Sequence, residues 1–197
     1  MVHHSGWLAY TSYLRGSLGL STGPGGEICD LNPYFIVAVL HIIGSSALGL
    51  GGVFHSLLGP ESLDNNLPSL FAITFKDRFK VSSILGVHLI SLGIASGLLV
   101  LLGKYSGLYD TFASGGGDTR LVTNITRSYY VLFSYLVKPP FGNQGSIISI
   151  NNLEDFLGGQ YLLSYLLTLG GLWHIVSKPV PAFVRSYVYT WATHYPL

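Results

Sequence analysis

Residues 34–58 read YFIVAVLHIIGSSALGLGGVFHSLL and carry no charged side chain. A helix of this length is long enough to cross a lipid bilayer. His41 and His55 lie 14 positions apart (55 − 41), which is about 3.9 helical turns, so both project from one face, about 21 Å apart along the axis. Ionisable side chains are costly inside a membrane and usually have a function there. The stretch therefore predicts a membrane helix with one candidate ligand in each half of the bilayer.

Small residues occupy most positions between these two histidines. Such a surface lets a bulky group or another helix approach the backbone closely. The small residues are Gly44, Ser45, Ser46, Ala47, Gly49, Gly51 and Gly52.

The composition assigns the whole chain to the membrane. Only 10% of its 197 residues are charged and the mean hydropathy is +0.47, whereas soluble domains have roughly 25% charged residues. A net charge of +1 without a basic cluster argues against a nucleic-acid partner. Cys29 is the only cysteine, which excludes an internal disulfide and an all-cysteine metal site.

The remaining spans predict an all-α integral membrane protein that forms one domain over residues 1–197. The transmembrane helices are expected at 33–58, 81–103 and 156–177, and the last two spans are also free of charge. We expect Asn32 to cap the first of them, Pro33 to lie in its first turn, and Gly59-Pro60 to end it. Residues 1–22, interrupted by Arg15, predict a short first helix or an interfacial segment.

The connections predict the topology. Residues 105–155 form a long, aromatic-rich connection, which indicates a folded and docked loop, and residues 178–197 form a connection or open a further helix. The shorter connections 60–80 and 178–185 are basic, so the positive-inside rule places them in the cytoplasm or stroma and the long loop in the opposite compartment. The basic residues are Lys76, Arg78, Lys80, Lys178 and Arg185.

His88 and His174 lie in the other two spans, and each of the four histidines needs a polar partner in hydrocarbon. His41 and His55 are too far apart to share one zinc or iron site. The b-type cytochromes that bind two haems between a pair of helices have histidines at about this 14-residue spacing. Each haem, however, needs two axial histidines from facing helices, and no second helix carries a matching pair. A pigment whose magnesium takes a single imidazole fits better. A haem-binding electron carrier and a purely structural subunit remain the alternatives.

The sequence resembles a known family at several positions. Residues 39–61 are similar to the second helix of the six-helix chlorophyll antenna proteins, which comprise the smaller core antenna of photosystem II and the iron-stress-induced and prochlorophyte antennae. Residues 84–90 resemble the third helix of that family and residues 107–126 its lumenal loop. The fourth helix and its approach are matched by 138–142, 152–159 and 170–175, and residues 3–6 resemble a motif of the first helix. The resemblance runs in unbroken order from about Gly23 to Lys178.

This resemblance implies a multi-pass light-harvesting protein of chloroplast or cyanobacterial thylakoid membranes, and no enzyme. It implies binding of chlorophyll a, carotenoid and lipid, and contact with reaction-centre and small membrane subunits, to which excitation energy passes. Residues 105–155 would be the lumenal loop. Carried over by position, the axial ligands to chlorophyll magnesium would be His41, His55, His88 and His174, with His4 as another.

One departure from the family concerns Gln160, which stands where the family has a ligand histidine. The amide oxygen of glutamine is a hard ligand that suits magnesium, so we expect a chlorophyll to remain there, bound directly or through water. The alternative is that the pigment is lost and Gln160 caps the helix in contact with lumenal water. The retained sequence at 107–111 favours the photosystem II core antenna. An accessory antenna of the iron-stress or prochlorophyte type is the alternative.

Overall fold

The computed structural model describes residues 2–11, 15–59, 78–139 and 149–177. Within these ranges the chain is mostly helical. The α-helices are α1 (Val2–Tyr10), α2 (Asn32–Leu57), α3 (Arg78–Tyr105), α4 (Tyr129–Ser134) and α5 (Leu153–Val176). Two 3-10 turns cover Pro24–Gly26 and Tyr135–Val137, and two strands, β1 (Leu108–Asp110) and β2 (Asp118–Arg120), pair in antiparallel fashion.

Two of the described helices are long and apolar enough to cross a membrane, over Asn32–Leu57 and Phe79–Tyr105. They overlap the first two predicted spans, which agrees with a helical membrane protein. α5 is 24 residues long and overlaps the third; that it crosses the membrane stays a prediction. The β1–β2 hairpin was not predicted. Of the predicted connection 60–80, residues 60–77 lie outside the described residues, and 78–80 belong to α3 instead. Residues 178–197 also lie outside the described residues.

The start of α2 corrects one prediction. The N-cap is Leu31, and Asn32 is already helical, with Pro33 in the first turn as expected. The backbone N–H of Asn32 donates instead to Asp30 Oδ1 at 2.9 Å. The carboxylate two positions earlier therefore performs the capping that the sequence assigned to Asn32.

The helices pack as two pairs, α1 against α2 and α3 against α5. Glycines set the closest approaches. A Cβ added to Gly6 would lie 2.7 Å from the Cβ of His41, and a Cβ on Gly171 would lie 2.6 Å from the carbonyl oxygen of Gly86. Small residues allow such contacts between membrane helices.

The segment 15–31 packs against the hairpin and joins the two helix pairs at one end. The N–H of Gly25 donates to the carbonyl of Gly117 at 2.6 Å, and Thr119 Oγ1 donates to the carbonyl of Thr22 at 3.2 Å. α2 begins at this end, where α3 finishes and α5 starts. We call it the loop end. A small buried cluster lies beneath the hairpin and consists of Val100, Leu108, Val122 and Leu157.

Candidate functional site

The predicted ligands fall at different depths along their helices, measured from the bounds of each element. At 1.5 Å per residue, His41 lies about 13 Å from the loop end of α2, and Gln160 lies about 10 Å from that of α5. His55 and His174 lie within the last turn of α2 and α5, at the opposite end. His88 is ten positions into α3, about 15 Å from that opposite end.

His41 and His88 share one local arrangement. The Nδ1 of His41 lies 2.7 Å from the carbonyl oxygen of Val37, and the Nδ1 of His88 lies 2.8 Å from that of Ile84. A carbonyl oxygen only accepts hydrogen bonds, so Nδ1 must carry the proton in both rings. In the neutral ring Nε2 then keeps its lone pair and faces away from the helix backbone, as metal-ligating histidines require.

His174 reaches the same tautomer through a residue of another helix. The buried Ser82 donates its hydroxyl proton to the carbonyl oxygen of His174 at 2.8 Å. That proton is the only one it has, so at the longer Ser82 Oγ–His174 Nδ1 contact of 3.4 Å the ring nitrogen is the donor. The Nε2 of His174 therefore also keeps its lone pair. Trp173 packs edge-on against this ring, with the centroids 4.9 Å apart.

His55 and His4 differ from these three. Both side chains are exposed. The ring of His55 contacts Phe54 edge to face at 5.3 Å, and the ring of His4 stacks on Trp7 at 5.4 Å. Neither contact fixes the ring tautomer.

Gln160 lies in the interior of α5 and is half-buried. The N-cap of α5 is Asn152, whose side chain accepts the N–H of Asp155 at 2.7 Å. Gln160 is therefore not needed for capping, and its amide is available for another role. Its neighbour Gly159 has open space where a side chain would lie.

The part of the small-residue surface of α2 nearest His55, at Gly49–Gly52, is uncovered within the described part of the chain. A Cβ on Gly49, Gly51 or Gly52 would meet nothing within 4 Å, and the neighbouring Leu50 is 74% exposed. The described residues also contain no cluster of three His, Cys, Asp or Glu side chains able to hold a metal ion. Within the described residues each histidine would therefore act as a single donor, and the open apolar surface lies beside His55.

The ion-pair cluster at the loop end was not predicted from the sequence. Arg120 donates Nε to Asp110 Oδ2 and both terminal nitrogens to Glu154, at 2.7 and 3.0 Å. The hydrogen bond from Arg120, together with one from the N–H of Phe112, lowers the pKa of Asp110. This cluster attaches the hairpin to the start of α5. The only sequence signal for this cluster was the presence of both acidic and basic residues in the loop 105–155.

A second hydrogen-bonded group supports the same junction. Asp155 accepts from Thr126 Oγ1 at 2.7 Å and from Tyr135 Oη at 2.5 Å. The hydrogen bond to Asp155 raises the pKa of Tyr135 to about 12. The extended segment before α4 and the 3-10 turn after it are thereby both attached to α5.

The sequence matches the family described as Photosystem II protein over residues 10–194. The match contains α2, α3, α4 and α5 in full, together with five of the six predicted ligand residues: His41, His55, His88, Gln160 and His174. Because it covers nearly the whole chain, the protein belongs to the photosystem II protein family.

Proposed function

We propose that this photosystem II family protein is a light-harvesting antenna that binds chlorophyll a in the thylakoid membrane and passes excitation energy to a reaction centre. The proposed axial ligands are His41, His55, His88 and His174, with His4 and Gln160 as further ligands. α5 is proposed as the third transmembrane helix and residues 105–155 as the lumenal loop. Carotenoid and lipid are proposed as further bound groups, and reaction-centre and small membrane subunits as partners.

The observation that carries the proposal is the fixed tautomer of three histidines. His41, His88 and His174 each have Nδ1 engaged as a donor, which leaves Nε2 as the ligand atom. Three separate helices show this arrangement. A magnesium ligand requires such an unprotonated nitrogen directed away from the backbone of its own helix.

Bound chlorophyll would supply the absorption of light and the transfer of excitation. The contribution of the chain is to hold each donor nitrogen at a set depth. Anchoring the Nδ1 of His41 to its own helix removes most of the freedom of the ring, so little entropy remains to be lost on binding. The glycines beside His55 leave the backbone accessible to a flat apolar group. Neither task involves making or breaking a covalent bond.

The sequence at 107–111 favours a photosystem II core antenna over an accessory antenna of the iron-stress or prochlorophyte type. A haem-binding electron carrier would use the same Nε2 atoms, but it needs two of them to face each other. In the described residues α2 packs along α1 and α3 along α5. This pairing places His41 against α1, where Gly6 is its neighbour.

Pigment analysis of ligand variants tests the proposal. In protein purified from its own membranes, His41→Leu, His88→Leu and His174→Leu should each lower the chlorophyll content by one pigment, because leucine has no lone pair. His3→Leu is the matched control, since His3 is an exposed histidine with no assigned ligand role. Unchanged pigment in all three variants, or a Soret band with redox-sensitive satellites instead of a red chlorophyll band, would contradict the proposal.

The same assay addresses Gln160. Gln160→Leu should remove one pigment, whereas Gln160→His should retain it because imidazole can replace the amide oxygen as a magnesium ligand. If the leucine variant keeps its full pigment content, Gln160 is not a ligand.

A further inference from the structure

A cavity at the loop end of α5 remains unused by the proposed pigment ligands. It has a volume of about 330 Å³ and lies between the segment before α4 and the face of α5 that carries Tyr161 and Tyr165. Gln160 is not among its lining residues. Leu132 and Leu162 give it an apolar wall.

Close backbone packing forms the cavity floor. A Cβ on Gly158 would collide with the carbonyl oxygen of Thr126 and would lie 3.2 Å from Leu132. The glycine therefore lets the extended segment 123–128 lie directly on α5. The hydrogen bond from Thr126 to Asp155 holds that segment in place.

Arg127 stands at the mouth of this cavity. Its guanidinium lies 5.8 Å from the centroid of the Tyr161 ring, and it makes no ion pair among the residues that the structure describes. The side chain is exposed, so its charge remains available to an anion. Tyr161 and Tyr165 pack edge to face at 5.0 Å beneath it.

A second cavity adjoins the first and is mostly polar. It has a volume of about 450 Å³ and is lined by the segment 123–128. Thr126 and Arg127 line both cavities. The polar cavity and the first, apolar cavity, which we call the groove, thus share Arg127 at their border. An amphiphile requires this arrangement, because its charged and apolar parts need adjoining polar and apolar surfaces.

The depth of the groove agrees with a lipid. Its lining residues on α5 run from Gly158 to Tyr165, five to twelve positions after the first residue of the helix. That is about 7 to 18 Å along the axis. Tyrosine and arginine side chains favour the boundary between headgroups and hydrocarbon, where a ring is buried while the polar tip stays hydrated.

We propose that Arg127 and this groove bind one anionic phospholipid. The phosphate accepts hydrogen bonds from the guanidinium and occupies the polar cavity, while one acyl chain follows the wall of Leu132, Leu162 and Tyr165. Arginine suits phosphate because its planar group donates two parallel hydrogen bonds. The apolar groove favours a lipid over a free anion. The inference rests on the membrane crossing of α5 given under the proposed function and uses none of the pigment ligands.

Lipid titration of the pigment-containing protein tests this site. We would place the purified protein in nanodiscs of neutral galactolipid, add phosphatidylglycerol, and count bound phospholipid by native mass spectrometry. Arg127→Gln should weaken binding about tenfold, as expected for the loss of a charge-assisted hydrogen bond. Arg127→Lys should give an intermediate loss, because it keeps the charge without the paired donors.

Lys104→Gln is the matched control. Lys104 is also a cation beside a tyrosine near the loop end of a helix, 5.4 Å from the Tyr105 centroid, but it lines neither cavity. Its loss should leave binding unchanged. Leu162→Trp should weaken binding by filling the groove while Arg127 remains.

Three results would overturn the proposal: wild-type lipid binding by Arg127→Gln, an equal loss in Lys104→Gln, or displacement of the lipid by an equal concentration of soluble glycerophosphate. The last result would show a free-anion site. Pigment content, measured on the same samples, should not change in Arg127→Gln. A lost lipid site is thereby distinguished from a failed antenna assignment.

Discussion

Gly171 shows how one missing side chain determines the distance between two helices. Its backbone lies so close to α3 that a Cβ would approach the carbonyl oxygen of Gly86 to 2.6 Å, and Ile90 would be equally near. The next residue towards the loop end, Gly170, has nothing within 4 Å of the same position. Neighbouring glycines on one helix therefore serve different purposes.

We expect Gly171→Ala to destabilise the α3–α5 pair by about 1–3 kcal/mol, the usual cost of overpacking a close contact. Gly170→Ala should be neutral or slightly stabilising, because alanine favours helix and meets open space. Thermal unfolding followed by circular dichroism would measure both. Equal stability of the two variants would show that the helices adjust their separation freely.

The histidine tautomers also belong to the residue scale, and they show where sequence reasoning ends. The spacing of His41 and His55 predicted a shared face, since it depends only on helical period. The bond from His41 to Val37 is equally local, but the tautomer of His174 depends on Ser82, 92 positions away. No local pattern records a contact between two helices.

Among the elements, the hairpin was the least predictable. Three-residue strands have too little pattern to be recognised, and β1 and β2 are stable only because residues 15–31 and α5 surround them. The long helices were predictable because an uncharged run of more than 20 residues has few alternatives in a membrane. Their bounds moved by a few residues, since polar residues such as Lys80 and Lys104 extend α3 beyond its apolar run.

The attachment of the hairpin to α5 predicts a pH dependence. Arg120→Gln should lower stability by about 1 kcal/mol at neutral pH, as for a partly exposed bidentate ion pair. The pKa of Asp110 is lowered in the folded state, so its contribution is present above the ordinary carboxyl pKa and disappears as the pH falls through the lowered value. The difference between wild type and variant should therefore persist at pH 5 and vanish only below about pH 4.

Thermal unfolding at pH 7, 5 and 3 would measure this difference. Arg15→Gln is the control, because within the described residues the Arg15 side chain has only a long 3.5 Å hydrogen bond, to the carbonyl of Tyr10. A difference that is already lost at pH 5 would mean that the Asp110 pKa is not lowered.

Within the described residues, the loop contacts that join the helices lie at the loop end, and the charge distribution predicts its orientation. Arg120 and Lys138 belong to the proposed lumenal loop, and the positive-inside rule predicts the opposite compartment for the basic connections 60–80 and 178–185. Protease added to the stromal face of intact thylakoids should spare both residues, because the bilayer separates them from the enzyme. The expected result is cleavage at Arg120 or Lys138 only after the membranes are opened.

Cleavage at these sites in sealed membranes would show that residues 105–155 face the stroma, which contradicts the predicted topology. A soluble protein of the lumen in the same preparation serves as the control for sealing, since it too should remain uncut. Mass spectrometry of the released peptides identifies the cut positions.

The hydrogen bond between Thr119 and Thr22 joins residues 97 positions apart, and this separation has a consequence for biosynthesis. A ribosome that adds 5–20 residues per second needs roughly 5–20 s to pass from one partner to the other. During that interval α1 and α2 can already pair, while residues 15–31 still lack the hairpin against which they pack in the folded protein. Residues 15–31 can therefore make this contact only after the hairpin has been synthesised.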